Sequence, residues 1–377
     1  MMHRIVLLAA ALMAAVLLMP AAFLLAAPAA DGTERAAGED AQLGDSLSAE
    51  TAPPSDNQGE TGQTPAAAEE TAQEDAADTE TEGTDAEEIT AEEAPSEGQS
   101  VRLRMEDGTV QTLGLEEYLW GVVAAEMPAA FQEQALRAQA VAARTYALYR
   151  MDHPTDNHPE AELCCDAACC QAWMSREDRL AAWEEDERES YAAKLTAAVE
   201  DTGGEYLTWE GEAILAAFHS SSDGRTRSAA SVWGEDLPYL TVVDTPEGEG
   251  DAPNYYSVVT MTADEAAERL RAQYPEIVLE GDCAGWFGPM IYDTDGLLTG
   301  VTVGGLTLTA QEARAVFELR SASFTLSCEG ENITFYVTGY GHGVGMSQYG
   351  ANVMAKAGEG YREILAHYYP GTSLSAL

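Results

Sequence analysis

Basic residues are scarce in this chain. Its 377 residues hold 19 Lys and Arg against 65 Asp and Glu, a formal net charge of −46. Nothing basic clusters along the folded part, so the electrostatic footprint of a nucleic-acid binder is missing. Internal repeats are absent. Strands and helices do not alternate in regular βαβ order, which argues against a doubly wound sheet. A glycine-rich stretch near the C-terminus lacks the Gly-Lys-Ser/Thr ending of a phosphate loop. The acidic balance does not itself identify a ligand.

What is present divides the chain by composition. Ile5 to Ala27 is an almost uninterrupted apolar run preceded by His3 and Arg4. It is long enough to cross a hydrocarbon core of roughly 30 Å, and its basic start suits a cytoplasmic N-terminus. A retained anchor and a cleaved signal peptide compete. Ala26–Ala27–Pro28–Ala29–Ala30 offers small residues for cleavage, but the run exceeds the usual apolar region of about 7–15 residues. That length favours a transmembrane anchor over residues 1–30, and either reading exports the remainder. Between Asp31 and Ser100, 21 Asp and Glu face the single basic residue Arg35. Low hydrophobicity with charge of one sign predicts a disordered, self-repelling acidic linker over 31–100.

Residues 101–377 are long enough for one large domain or two lobes. Val101–Leu103 and Thr109–Leu113 around Asp107–Gly108 read as a hairpin. Leu115, Leu119 and Val122 then recur at spacings of four and three, one buried face of a helix. Continuing by four reaches Glu126, and Met127–Pro128 ends the helix. An alanine-rich helix is expected over Gln132–Met151. Ser175 reads as the cap of one long helix that Gly203–Gly204 stops. Tyr206–Trp209 and Ala213–His219 make another hairpin. A helix at Ala263–Gln273, a strand at Ile333–Val337 and a helix at Gln348–Lys356 complete an α+β fold of mixed helices and antiparallel hairpins.

A carboxyl group on an apolar helical face is desolvated, which raises its pKa and suits a general acid. The bland alternative pairs Glu126 with Arg137 or Arg144 on the next helix. His219 lies opposite Phe218 on its strand, turned toward a cleft or bonded to a backbone carbonyl. His342 is flanked by glycines in the Gly339–Gly345 loop and is expected to be accessible; a tight structural turn is compatible with that. Gln348 and Tyr349 are candidates for hydrogen bonding and ring stacking. His158, Cys164, Cys165, Cys169 and Cys170 place one imidazole and four thiols within thirteen residues. That density fits tetrahedral zinc; two disulfides are the alternative for an exported protein. Cys283 and Cys328, far apart in sequence, are either free thiols or a bridge.

Three segments carry a resemblance to a known family. Leu115-Glu-Glu-Tyr-Leu-Trp-Gly-Val-Val-Ala-Ala-Glu-Met-Pro128 is followed by Gln134-Ala-Leu-Arg-Ala-Gln-Ala-Val-Ala-Ala-Arg-Thr-Tyr-Ala147. Near the end stand Gly339-Tyr-Gly-His-Gly-Val-Gly-Met-Ser-Gln-Tyr-Gly-Ala351 and His367-Tyr-Tyr-Pro-Gly-Thr372. Together they resemble the stage II sporulation protein D family. The resemblance implies a peptidoglycan lytic transglycosylase that leaves 1,6-anhydro ends on peptide-free glycan strands. It puts the family's catalytic acid on Glu126 and lays a glycan-binding cleft among the helices and hairpins. Arg144, Tyr146, His219, Ser220, His342, Gln348 and Tyr349 are then the expected substrate-binding residues. Asp223 and Arg225 depart from the family's usual small residues after the His-Ser pair. The family's zinc pattern falls on His158, Cys164, Cys169 and Cys170, with Cys169 replacing a histidine; such a zinc is structural, and Cys165 is spare. Implied partners are the membrane, the glycan strands, the stage II sporulation protein P amidase and an engulfment complex. A related, non-enzymatic possibility is an amidase enhancer that binds the wall.

Overall fold

The computed structural model describes residues 99–377. The expected anchor and residues 31–98 of the expected acidic linker lie outside the described residues, while Ser100, given to that linker, already begins the first strand. Among those described, no helix is long and apolar enough to cross a membrane. The described part is a mixed α and β structure whose sheets are mainly antiparallel, with two hydrophobic cores.

The first core begins with the hairpin Ser100–Arg104 and Val110–Gly114, in which Val101 pairs with Leu113 and Leu103 with Gln111. Val101 and Leu103 turn inward, as period-two alternation requires. The strand's free edge pairs in parallel with Leu163–Cys164, which brings the cysteine loop onto this sheet. The helix Leu115–Glu126 follows at once. Tyr118 through Ala124 are all buried, so this helix is enclosed on every side. The single apolar face read from Leu115, Leu119 and Val122 is therefore corrected: periodicity does not select one face of a central helix. Pro128 pushes Met127 into extended backbone (φ −121°, ψ 142°) and ends the helix there.

The helix Glu133–Asp152 packs against it through alanines, with Ala135, Ala138, Ala142 and Ala143 fully buried. Arg144 sits in its middle with 0% of its surface exposed. Its guanidinium donates to Glu116 at 2.8 Å and to the carbonyls of Thr202 at 2.9 Å, Glu205 at 3.2 Å and Val199 at 3.3 Å. Those carbonyls belong to the end of the helix Glu185–Glu200 and the turn after it, where backbone acceptors lack helical partners. The expected long helix after Ser175 is in fact two. Ser175 caps Arg176–Ala182, accepting from the Asp178 amide. The chain then turns extended at Trp183, whose ring packs edge-on against Trp120 at 6.4 Å and Tyr191 at 5.5 Å.

The expected strand Ala213–His219 is likewise broken. Glu205–Trp209 pairs with only Glu212–Ala213 and, on its other edge, with Ser373–Ala376. Phe218–His219 leaves that sheet and pairs in parallel with Met346–Ser347. This short pairing fastens the C-terminal glycine-rich loop and the helix Gln348–Lys356 to the first core.

The second core lies between two three-stranded antiparallel sheets. One contains Tyr256–Thr262, Asn332–Thr338 and Phe324–Glu329; the other Phe287–Tyr292, Leu298–Val303 and Leu306–Thr309. Ile333, Phe335 and Val337 point inward, and Phe335 packs on Phe317 at 4.6 Å between ring centres. The helices Ala263–Gln273 and Ala310–Phe317 each start with a capping box, Thr262 with Glu265 and Thr309 with Glu312. Arg227 joins the two cores, donating to the carbonyls of Leu298 at 2.6 Å and Ala322 at 3.3 Å.

Arg144 therefore holds the fold together, and the role expected for it at the substrate is corrected. Replacing it by Met strands several buried carbonyls, each costing about 1–3 kcal/mol. Arg144→Met should lose about 3 kcal/mol or more in urea unfolding; a change below 1 kcal/mol, with weakened glycan binding, would restore the substrate role.

Candidate active site

The loop between His153 and Ser175 contains almost no regular structure, yet its ligand-type side chains converge. The donor atoms of His158, Cys164, Cys169 and Cys170 all lie within 4.8 Å of one another. The Nδ1 of His158 donates to the Ala161 carbonyl at 3.0 Å, which leaves Nε2 as the lone-pair atom facing Cys170 Sγ at 3.2 Å. Fixing one ring nitrogen in this way is how proteins orient a metal-binding imidazole. Hydrogen bonds from the Cys164 and Cys170 thiols pull Cys169 far down toward thiolate. Three sulfurs and one imidazole, buried or half-buried at this separation, fit a tetrahedral zinc site. Cys165 stays outside the group, and all six cysteines are free.

The segment leaving this loop lies directly on the helix Leu115–Glu126. Met174 N–H donates to the Gly121 carbonyl at 3.3 Å, and Gln171 accepts from the Tyr118 hydroxyl. Gly121 is needed for that approach, because a Cβ there would stand 2.3 Å from Trp173 Nε1 and 2.7 Å from the Met174 carbonyl. Between these anchors, the Ala172 N–H donates to Glu126 Oε1 at 2.7 Å. Gln348, the first residue of its helix, turns its side-chain amide toward Glu126 Oε2 at 3.5 Å. Desolvation pushes the Glu126 carboxyl up to about 7, against the smaller opposing effects of these two donors. Glu126 nonetheless remains partly exposed as a residue. The arginines that might have neutralised it are engaged elsewhere: Arg137 with Asp201 at 2.6 Å, Arg144 with Glu116. Among the described residues, Glu126 is a desolvated acid without a basic partner.

Gln348 owes its place to the glycine-rich loop. Gly345 has φ +72°, and a Cβ on it would lie 1.9 Å from the Ala217 carbonyl, so only glycine lets the loop seat against Ala217–His219. Beneath it runs a buried polar network. His219 is 4% exposed; its Nδ1 donates to the Val344 carbonyl at 3.2 Å and its Nε2 accepts from the Ser222 hydroxyl at 2.6 Å. Burial drives its pKa to about 4, so it stays neutral. The expectation that His219 binds sugar is corrected: both ring nitrogens are engaged inside. Glu247, 4% exposed, accepts from Ser222 N–H at 2.8 Å and the Ser347 hydroxyl at 2.5 Å. Ser347 in turn caps the helix that starts at Gln348, accepting from Gly350 N–H. Glu247 was not seen in the sequence, where it follows Pro246 in a stretch without periodicity. The Ala172 N–H, a backbone group, left no sequence signal either.

The remaining expected residues fall in several places. His342 is not open to ligand on all sides as the flanking glycines suggested. Its ring packs 5.4 Å from Trp233 and 5.8 Å from His219, its Nδ1 accepts from Val344 N–H, and desolvation lowers it to about 3. Tyr146 faces the cysteine loop, its hydroxyl accepting from Arg150 at 3.0 Å and donating weakly to the Cys169 carbonyl. Ser220 and Tyr349 are half-buried beside Gln348; Tyr349 N–H donates to the Ser220 carbonyl and its ring packs on Phe131 at 4.9 Å.

Fold and site together define a two-core α+β protein with two desolvated acids, Glu126 partly exposed and Glu247 buried. The family model described as stage II sporulation protein matches residues 105–209. Stage II sporulation protein D of Bacillus subtilis (strain 168) is 37% identical over 274 residues, 72% of this chain and 77% of that protein. Its counterpart in Bacillus amyloliquefaciens is 36% identical over 282 residues, with the same shares of 72% and 77%. The amidase enhancer of Bacillus subtilis (strain 168) is 26% identical over 305 residues, 68% of this chain but 40% of that protein. The chain belongs to the stage II sporulation protein D family.

The raised pKa of Glu126 has a consequence for stability. A folded value of about 7 against an ordinary 4.5 means that the native state binds this proton more tightly. The stabilisation is complete below about pH 4.5 and is lost as pH rises through about 7, a change of about 3 kcal/mol. Unfolding of the wild type and Glu126→Gln, compared at pH 5 and pH 8, should show the wild type losing that amount relative to the variant. Parallel pH profiles would mean that the acid is solvated.

Proposed function

We propose that this protein is a lytic transglycosylase that cuts the β-1,4 bond after N-acetylmuramic acid in peptide-free peptidoglycan. The observation that carries this reading is a single acid, half reachable yet desolvated to a pKa of about 7, with no second carboxylate bonded to it. A hydrolytic glycosidase uses two carboxyl groups, the second as nucleophile or to activate water. An intramolecular reaction dispenses with it. Glu126 gives its proton to the glycosidic oxygen as the bond to the anomeric carbon breaks. The muramic acid C6 hydroxyl then adds to that carbon, and the Glu126 carboxylate takes the hydroxyl proton. The acid is regenerated, water is not consumed, and the product is a 1,6-anhydro end.

Gln348 steadies Glu126 by turning its side-chain amide toward Oε2 at 3.5 Å. The partly exposed Tyr349, which follows Gln348, and Ser220, whose carbonyl it bonds, are assigned to the glycan. On the second core, a groove of about 400 Å³ lined by Tyr256, Tyr292, Tyr336 and Asp223 offers aromatic faces and an acceptor for further sugars. His158, Cys164, Cys169 and Cys170 would hold a zinc ion that supplies structure alone, since four protein ligands leave no open position. We assign residues 1–30 to a membrane anchor and 31–100 to a spacer that carries residues 101–377 outside the membrane. Working partners are the stage II sporulation protein P amidase, which provides stripped strands, and the engulfment complex of sporulation. The likeness to an amidase enhancer supports a second reading, a wall-binding module that stimulates an amidase without cutting glycan.

Peptide-free glycan strands separate the two. The wild type should generate anhydro-muramic ends by mass analysis, and Glu126→Gln should lower that rate by on the order of 10²-fold or more. Near-normal cleavage by the variant refutes the mechanism, and no cleavage by the wild type favours the enhancer. Because the reactive form is protonated, the rate should fall about tenfold per unit above roughly pH 7. Stripping zinc should lower the melting temperature and move this pH limb, since the Ala172 N–H reaches Glu126 from the metal loop. Loss of turnover with an unchanged melting curve would instead mark a catalytic metal.

A further inference from the structure

Two cysteines stand outside the loop cluster and outside the chemistry proposed for Glu126. Cys283 opens the short turn Cys283–Gly285, which leads into the strand Phe287–Tyr292. Cys328 is the next-to-last residue of the strand Phe324–Glu329, in the other sheet of the second core. Period-two alternation puts Cys328 on the face of Phe324 and Leu326, and all three pack on that core. Cys283 is itself a core residue, 2% exposed, while Cys328 is half-buried.

The two sulfurs meet at the end of one hairpin. The Cys283 thiol donates weakly to the Gly330 carbonyl at 3.5 Å and lies 3.9 Å from the Asn332 carbonyl. Gly330 comes two residues after Cys328, and Asn332 adjoins Ile333, the cross-strand partner of Cys328. Burial and the Cys283 thiol in contact with it raise Cys328 to about 11. Among the described residues, the metal-type group of histidine and cysteine is the loop's own set, His158, Cys164, Cys169 and Cys170. The second pair therefore lacks the further donors that a tetrahedral zinc takes. Two thiols in contact, without a third ligand, are suited to bond to each other.

We propose that Cys283 and Cys328 are joined by a disulfide bond in the working protein, which clasps the two sheets of the second core together. The half-exposed member gives the entry. The Cys328 thiolate attacks a sulfur of a disulfide donor, whose S–S bond breaks and releases one thiol. The Cys283 thiolate then attacks the Cys328 sulfur and expels the donor's second thiol. Two protons leave the cysteine pair, and two electrons pass to the donor. The new bond closes the segment 283–328, which holds the whole of one sheet and the helix Ala310–Phe317. Closing a loop of that length restricts the unfolded chain and so favours the folded one. The oxidising side of the membrane, where residues 101–377 were assigned above, is where such a bond persists. The bond uses that reading for its compartment and is independent of the transglycosylase reading.

The test takes the full chain from cells quenched in acid, and separately the purified, reduced chain after exposure to glutathione disulfide with zinc present. Remaining thiols are alkylated and the protein is digested with trypsin. Cleavage after Arg271 and Arg314 frees a peptide whose one cysteine is Cys283; cleavage after Arg320 and Lys356 frees one whose one cysteine is Cys328. Both samples should give the mass of these peptides joined, less two hydrogens. Recovery of both peptides alkylated, or of either joined to a loop cysteine, overturns the proposal. The bridged chain should melt about 5 °C or more above the reduced one. The double variant Cys283→Ala/Cys328→Ala should melt with the reduced chain and show no response to glutathione disulfide. A shift of the same size in that variant would place the effect at other cysteines and refute the clasp.

Discussion

A carboxyl group that keeps its proton near neutral pH has to be held away from water and from cations. Glu126 meets this demand with two donors drawn from distant parts of the chain. The Ala172 N–H arrives from the exit of the cysteine loop and the Gln348 amide from the start of a C-terminal helix. Both oxygens of the acid have a hydrogen-bond donor, so desolvation does not leave an unpaired buried polar group. Neither donor is charged, so neither drives the proton off as an arginine would. The placement of Arg137 on Asp201 and of Arg144 on Glu116 and three carbonyls belongs to the same constraint, since a free guanidinium beside Glu126 would hold it ionised.

Three other buried titratable groups lie along the glycine-rich loop that places Gln348. His219 and His342 are held neutral, at about 4 and about 3, by burial and by their mutual repulsion with nearby arginines. Glu247 is raised by burial as Glu126 is, but its Oε1 takes both a backbone N–H and the Ser347 hydroxyl. It joins Ser222, and through it His219, to the cap of the helix that presents Gln348. The parallel pairing of Phe218–His219 with Met346–Ser347 lays these pieces side by side, and Gly345 provides the clearance. Of the two raised carboxyl groups, Glu126 is the partly exposed one and Glu247 the buried one.

The sequence made the local elements readable where a short-range signal fixed them. The first hairpin and the helices Ala263–Gln273 and Gln348–Lys356 lie where the sequence places them. It misled where tertiary packing overrode the pattern. Trp183 breaks a helix to reach Trp120 and Tyr191, and the Ala213–His219 strand breaks because its last two residues pair with a segment far along the chain. Glu126 was singled out by a periodicity that its all-round buried helix does not obey; its environment follows from the Ala172 and Gln348 contacts instead. Arg144 and His219 looked polar and therefore available. Their partners are backbone carbonyls and a buried serine, which no spacing rule reveals.

The cysteine loop connects folding to chemistry by an indirect route. From His153 to Ser175 the chain has one two-residue strand and few large apolar side chains, so ordering it has little hydrophobic compensation. Gln171 and Met174 fasten its exit to the Leu115–Glu126 helix, but His158 and the three thiols set the direction from which that exit comes. If a metal gathers those four ligands, its binding free energy becomes folding free energy for the loop. The Ala172 N–H is the last link, two residues beyond Cys170. A metal with no open coordination position would thus affect the acidity of Glu126 without touching substrate, through the position of one backbone amide.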